Sequence, residues 1–143
     1  MNIEYNDRFD RELIDYLMGF FSRNAVEILN TTSDVVQESL YQIRFEGKEI
    51  VLQFFYEQED SDCEAQIRIT SILLQGTLKR TGLSKSLINE LLAYCKRHND
   101  MSLWIYDLIN QSWCAYLIQH GAILIQPESL DSGAVVLINK HID

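Results

Sequence analysis

Proline is almost missing from this chain: Pro127 is the only one in 143 residues. No repeat or low-complexity stretch breaks the sequence either, so length alone sets the expectation of one domain over residues 1–143. A chain of this size buries a real core, typically about two-thirds of its unfolded surface. Long apolar runs are also lacking. None reaches the ~18 residues a membrane span needs, so no membrane partner is expected. The first residues carry Glu4, Asp7 and Asp10 rather than a basic region and an apolar core, which speaks against a signal peptide. Cysteine is scarce, with Cys63, Cys95 and Cys114 odd in number and far apart. They read as reduced thiols of a cytoplasmic protein. No zinc spacing exists, and His98, His120 and His141 do not cluster, so no metal is expected. Cations are outnumbered: 12 Lys and Arg against 21 Asp and Glu give a formal net charge of −9. General nucleic-acid binding usually needs a basic face, so the expectation is no nucleic acid. A cationic partner, a small amine or a lysine-bearing protein, suits the charge.

The pattern that is present alternates strands and helices. Asn2 to Tyr5 reads as a short edge strand. Asp7 begins a helix that places Phe9, Leu13, Tyr16, Leu17 and Phe20 on one face. Phe21 to Leu29 continues it or forms a second helix after a break near Gly19. Asn30 to Asp34 reads as a loop, with Ser33 or Asp34 able to cap a short turn. Leu40–Phe45 and Glu49–Tyr56 form a hairpin about Glu46-Gly47-Lys48. Glu57 to Glu64 is an acidic loop. A strand from Ala65 ends at Leu74, and a helix from about Leu83 buries Leu87, Ile88, Leu91, Leu92 and Cys95. Leu103 to Tyr106 is a buried strand. A helix then runs from Gln111 to His120, with Gly121 as its C′ residue. Ala122–Ile125 and Gly133–Asn139 close the chain as antiparallel strands. The fold class is mixed α/β.

The most specific local feature is the loop after Leu74. Gln75-Gly76-Thr77 ends the strand, and Lys79-Arg80-Thr81-Gly82-Leu83-Ser84 opens the helix. A strand, a glycine-bearing loop and a helix N-terminus aim backbone N–H groups at one point, which favours anions such as phosphate. Glycine lets a ligand approach the backbone with no Cβ in the way. Lys79, Arg80 and Lys85 add positive charge against the trend of the chain. Neither a Gly-Lys-Ser/Thr P-loop nor a three-glycine dinucleotide fingerprint is present.

With these elements in order, the chain resembles the GNAT superfamily of N-acetyltransferases. Lys79 to Ser84 matches the family's pyrophosphate loop, Gln/Arg-x-x-Gly-x-Gly/Ala, with Gly82 central, Lys79 for the Gln/Arg and Ser84 for the last small residue. Asn110 and Gly121 keep their places in Asn-x-x-Ala-x-x-Phe-Tyr-x-x-x-Gly-Phe. Trp113 stands at the Ala place, Tyr116 at the Phe place, Leu117 at the Tyr place and Ala122 at the final Phe place. The resemblance covers roughly residues 64 to 125.

The resemblance implies a mostly antiparallel sheet flanked by helices, split between two strands around the cofactor, acetyl-coenzyme A. It implies backbone contacts to the pantetheine arm from Ile72, Leu73 and Leu74. It places the pyrophosphate at Lys79, Arg80, Thr81, Gly82, Leu83 and Ser84, with Arg80 or Lys85 on the 3′-phosphate, and sets Asn110 on the pantetheine arm. The activity implied is acetyl transfer to a primary amine. That reaction needs a base for the amine, a donor for the developing oxyanion and a donor for the leaving thiolate. Glu64, Glu57, Tyr106 and Asp107 are candidate bases. Leu117 has no proton to give. Tyr116, one residue earlier, is the catalytic candidate, but a helical step of about 100° turns it away from the acid position, and its other reading is core packing, as for the Phe it replaces. A second reading keeps the fold and the cofactor site without the chemistry: a module that holds coenzyme A or works through protein contacts. Trp113 and nearby apolar residues fit either a roomy pocket or a homodimer.

Overall fold

The structure is a computed structural model that describes residues 2–3, 8–58, 64–98 and 100–143. It is a mixed α+β fold. Among the described residues one eight-stranded sheet runs in the order β1-β2-β3-β4-β5-β6-β8-β7. The strands are β1 (Asn2–Ile3), β2 (Asn30–Gln37), β3 (Leu40–Glu46), β4 (Ile50–Glu57), β5 (Gln66–Leu74), β6 (Ser102–Leu108), β7 (Ile123–Gln126) and β8 (Ala134–Ile138). Pairing is antiparallel except for β1 with β2 and β5 with β6. Three helices accompany the sheet: α1 (Arg8–Arg23), α2 (Leu83–Arg97) and α3 (Gln111–Gln119).

The hairpin β3–β4 follows its alternation. Tyr41, Ile43 and Phe45 face the core together with Leu52, Phe54 and Tyr56, and Phe45 stacks on Phe54 with centroids 6.4 Å apart. Helix α1 passes through Gly19 without a break and buries Leu13, Ile14, Leu17, Phe20 and Phe21. It ends at Arg23, and Ala25 then takes a left-handed conformation (φ +56°). Helix α2 buries Leu83, Leu87, Ile88, Leu91, Leu92, Tyr94 and Cys95. The two helices meet where Tyr16 lies 5.0 Å from Tyr94, ring centre to ring centre, with the Arg97 guanidinium 5.1 Å above Tyr16. No described helix is long and apolar enough to cross a membrane.

Two sequence expectations need correcting. Phe21 to Leu29 neither continues the helix throughout nor forms a second one: α1 ends at Arg23, and residues 24–29 are a non-helical connection to β2. Residues 30–34 are not a loop; they begin β2, which pairs with β3 from Asn30↔Glu46 onward. Its inward positions are Thr31 and Ser33, both nearly inaccessible. A strand whose core face is hydroxylic shows no apolar alternation, so periodicity cannot reveal it. The Ser33 hydroxyl donates to the buried Asp10 carboxylate of α1, so a polar inward face is satisfied by the helix above it. The expected edge strand is present at Asn2–Ile3; Glu4, Tyr5, the helix start at Asp7 and most of the acidic loop, Cys63 included, lie outside the described residues.

Two bulges open the sheet in the middle. In β5, Gln53 pairs with Ser71 and Phe54 with Ile69, which leaves Thr70 unopposed. In β6, Ile105 pairs with Val136 and Leu108 with Ala134, so Tyr106 and Asp107 face Val135 alone. The parallel pairing of β5 with β6 stops at Ile69↔Ile105, level with both bulges. A bulge bends its strand and sharpens its twist. Two of them, on neighbouring strands, send the ends of β5 and β6 apart.

Candidate functional site

Past Ile69, β5 still pairs with β4 through Leu52↔Ile72, Val51↔Leu73 and Ile50↔Leu74. Among the described residues no strand pairs with its other edge here. That edge and the diverging end of β6 wall a cavity of about 380 Å³, lined by residues 69–73, 105–110 and Trp113. The cavity is the split between the strands.

Beyond Leu74 the chain turns under the control of Glu49. Its carboxylate accepts from the Thr77 N–H (3.0 Å) and from the Thr77 hydroxyl, and these bonds hold the carboxyl below its ordinary pKa. Gly76 is left-handed (φ +56°), and a Cβ there would run into the Glu49 carboxylate. A single 3-10 turn, Gly76–Leu78, follows. Arg80 (φ +59°) and Gly82 (φ +78°) are left-handed on either side of Thr81. The Thr81 hydroxyl donates to the Leu78 carbonyl (2.8 Å) and accepts from the Leu83 N–H (3.3 Å). Thr81 thus ties the turn, while Gly82 is the N-cap and offers no side chain to the first-turn N–H groups. A Cβ added at Gly82 would meet nothing within 4 Å. The start of α2 therefore faces open space.

That space is a second cavity of about 290 Å³, lined by Leu74, Arg80, Gly82, Leu83, Ser84, Lys85, Trp113 and Tyr116. Arg80 and Lys85 make no ion pair with any described residue. Of the residues expected around the phosphates, Arg80, Gly82, Leu83, Ser84 and Lys85 converge here. Lys79 and Thr81 are exposed but line neither cavity. Ile72 and Leu73 line the split, and Leu74 the loop cavity.

Asn110 lines the split and is also the N-cap of α3. Its Oδ1 accepts from the Trp113 N–H at 3.0 Å, which leaves the amide NH₂ as the group it can offer a ligand. Tyr116 lies half-buried on the loop side, not in the split. Its ring stacks on Trp113 (5.5 Å, 10° between planes) and against His120 (4.3 Å), and its hydroxyl donates to the Asp143 carbonyl at 3.2 Å. Leu117, one residue on, is wholly buried in the core.

The split does not contain Glu64. That residue is exposed ahead of β5, and about six residues of extended chain, roughly 20 Å, separate it from Thr70. Glu57 is engaged elsewhere, accepting from Arg68 (3.1 Å) and Gln66 (2.7 Å). The acid in the split is Asp107, exposed at the cavity wall beside Tyr106. Its φ of +56° is held by the bulge in β6, and a Cβ on Gly133 would come within 2.5 Å of the Asp107 carbonyl carbon. Left-handed backbone is uncommon in a strand, although Asp tolerates it better than most residues. Asp107 was one of several acids in the sequence. Nothing local marks it out, because the bulge comes from pairing with β8.

The thiols are poorly placed for nucleophilic work. Burial pushes Cys95 up to about 12. Cys114 is raised by burial and by Glu128, and it lines a separate apolar groove beside Ile118 and Leu124. Among the described residues no group of three His, Cys, Asp or Glu side chains is placed to hold a metal.

No protein-family model matches the chain, and no curated protein matches it. Among solved structures it is similar to a chain in the crystal structure of a KacTA–DNA complex. The TM-score is 0.47 and the sequence identity 11%, over 95% of this chain and 84% of that one. Likeness at this level says nothing about activity, and the resemblance to acetyltransferases rests on the residues alone. One expectation is corrected. The similar structure is a complex with DNA; the exclusion of nucleic acid is withdrawn, because it was drawn from the net charge alone. A sum over the whole chain does not give the sign of any one face, and the Arg80–Lys85 face departs from it.

Proposed function

We propose that the chain binds acetyl-coenzyme A and transfers its acetyl group to a primary amine of a small molecule or a protein. One observation carries this reading: the free edge of β5, opened by the two bulges, runs from the split directly into the cation-bearing start of α2. A pantetheine arm, a chain of amides, can pair with Ile72, Leu73 and Leu74 as an added strand would. Its pyrophosphate then meets the first-turn N–H groups of α2 with Arg80 and Lys85 beside them. Asn110 offers its amide to the arm from the other side.

The thioester would lie in the split, beside the bulged backbone of Thr70 and the carboxylate of Asp107. Asp107 takes the proton from the amine. The amine nitrogen bonds to the carbonyl carbon, the C–S bond breaks, and sulfur leaves with its electron pair as thiolate. Leu117 supplies no proton to it, and Tyr116 sits at the phosphate end, so departure relies on the thiolate being a good leaving group. The few, scattered cysteines suit a cytoplasmic setting that keeps thiols reduced.

A second reading is favoured by Leu117 and by the position of Tyr116: a module that binds coenzyme A and transfers nothing. Calorimetry with acetyl-coenzyme A, followed by thiol release across an amine and lysine-peptide panel, separates the two. Binding with amine-dependent thiol release supports transfer. Binding with no release from any amine supports the module.

A further inference from the structure

We infer that the acceptor is a monoamine joined by a short linker to an aromatic ring, selected by the outward face of the sheet beside the split. This rests on the acetyl-transfer reading above. Strand register sets Phe55, Arg68 and Trp104 side by side on β4, β5 and β6: Phe55 pairs with Arg68, and Arg68 with Trp104. All three are partly exposed, whereas their chain neighbours Phe54, Ile67, Ile69, Leu103 and Ile105 fill the core. Side chains alternate along a strand, so the three stand on the face turned away from that core. Tyr106 is two residues past Trp104 on the same face, and Asp107 follows it at the split. Strand β6 thus carries Trp104, Tyr106 and Asp107 over about 10 Å.

The cofactor takes the open end of the split, from Ile72 to Leu74. At the closed end β5 and β6 still pair, with Ile69 and Ile105 on the core side and Arg68 and Trp104 on the outward side. The core side is filled, so the acceptor reaches Asp107 over the outward side. The indole N–H of Trp104 is engaged by the Ser102 hydroxyl at 2.9 Å. The indole therefore has no donor left for a ligand and offers its ring. The Arg68 guanidinium lies over the Phe55 ring, 5.6 Å from its centre, and pairs with Glu57 at 3.1 Å. An acceptor's ring stacks on Trp104 or on the guanidinium plane, while its single ammonium group points to Asp107. A polyamine or a basic peptide brings a second cation to Arg68. Glu57 is already held by Arg68, so that cation meets like charge without a free partner, and the face disfavours it.

The test uses the full chain with tryptamine, spermidine and a lysine-bearing peptide. Calorimetry reads the binding of each amine alone, and thiol release from acetyl-coenzyme A reads kcat and KM. The parent is expected to use tryptamine with a kcat/KM at least tenfold above the other two. Trp104→Ala is expected to raise the KM for tryptamine at least tenfold, with kcat within threefold and acetyl-coenzyme A affinity unchanged. Arg68→Gln, which removes the cation and frees Glu57, is expected to raise kcat/KM for spermidine at least threefold and not for tryptamine. It also serves if Trp104→Ala does not fold. A parent that prefers spermidine or the peptide overturns the assignment and leaves acetyl transfer standing. Equal losses for all three amines in Trp104→Ala overturn it as well. Tryptamine binding that depends on Trp104, with no thiol release from any amine, overturns acetyl transfer and supports the ring-binding face. Neither binding nor thiol release with any amine overturns both.

Discussion

At the scale of the residue, Asp107 bears most of the proposed chemistry. Asn is its closest replacement: similar in size, equally tolerant of left-handed backbone, and unable to take a proton. Asp107→Asn is expected to leave the thermal midpoint within a few degrees and acetyl-coenzyme A affinity unchanged, while turnover falls by a factor of about a hundred or more. Steady-state thiol release on a folded, cofactor-binding variant checks it, and unchanged turnover removes Asp107 from the mechanism. Cys95 carries a prediction about pH. Burial raises its thiol from 9.0 to about 12, so above pH 9 the unfolded chain loses a proton that the folded chain keeps. Stability is therefore full below pH 9 and falls as pH rises toward 12; burial of Tyr94, whose hydroxyl is also raised, acts in the same direction above 10. Urea midpoints between pH 8 and 11 read the slope. Cys95→Ala should flatten part of it, and iodoacetamide should leave native Cys95 unmodified at pH 8. The sequence showed Arg80, Gly82 and Lys85 as a cluster because they are neighbours in the chain. It did not show that Asp107 enters the split and Glu64 does not, because that depends on where β5 and β6 part.

At the scale of the element, periodicity read the hairpin β3–β4 and helix α2, since each buries an apolar face of regular period; α3 and the closing strands were read from apolar content and turn residues, for α3 buries only Leu117 and β7 is exposed along its length. Periodicity failed at β2, where Thr31 and Ser33 replace apolar residues and Asp10 of α1 completes the pairing. It did not show that β8 inserts between β6 and β7, because strand order depends on contacts far apart in the chain. The loop before α2 was legible as a glycine-bearing turn flanked by cations, and its geometry sets how the proposed anion site is tested. Gly82 is left-handed, so Gly82→Val combines a strained backbone, about 1–2 kcal/mol, with a bulkier surface. Gly82→Asn tolerates the conformation and still places a side chain in the open space before α2. It is expected to fold with a near-parental midpoint and to weaken acetyl-coenzyme A at least tenfold. Parental affinity in a folded Gly82→Asn protein contradicts backbone approach at this residue.

At the scale of the whole molecule, a chain of net charge −9 presents one small face where Arg80 and Lys85 stand without described acidic partners. Composition alone described the average and concealed that face. The sheet delivers it: two bulges divide β5 from β6, and the freed strand points at the start of α2. The central claim is that a phosphate-bearing thioester lies along this line. The affinity of acetyl-coenzyme A for the parent and for the double variant Arg80→Asn, Lys85→Gln, measured by calorimetry at about 50 and about 300 mM salt, between which the Debye length falls from about 14 to about 6 Å, tests it most directly. The account predicts that the parent binds, that salt weakens the parent, and that the double variant binds at least tenfold more weakly with a smaller salt effect. A parent that does not bind, or a folded double variant that binds equally well at both salts, contradicts it.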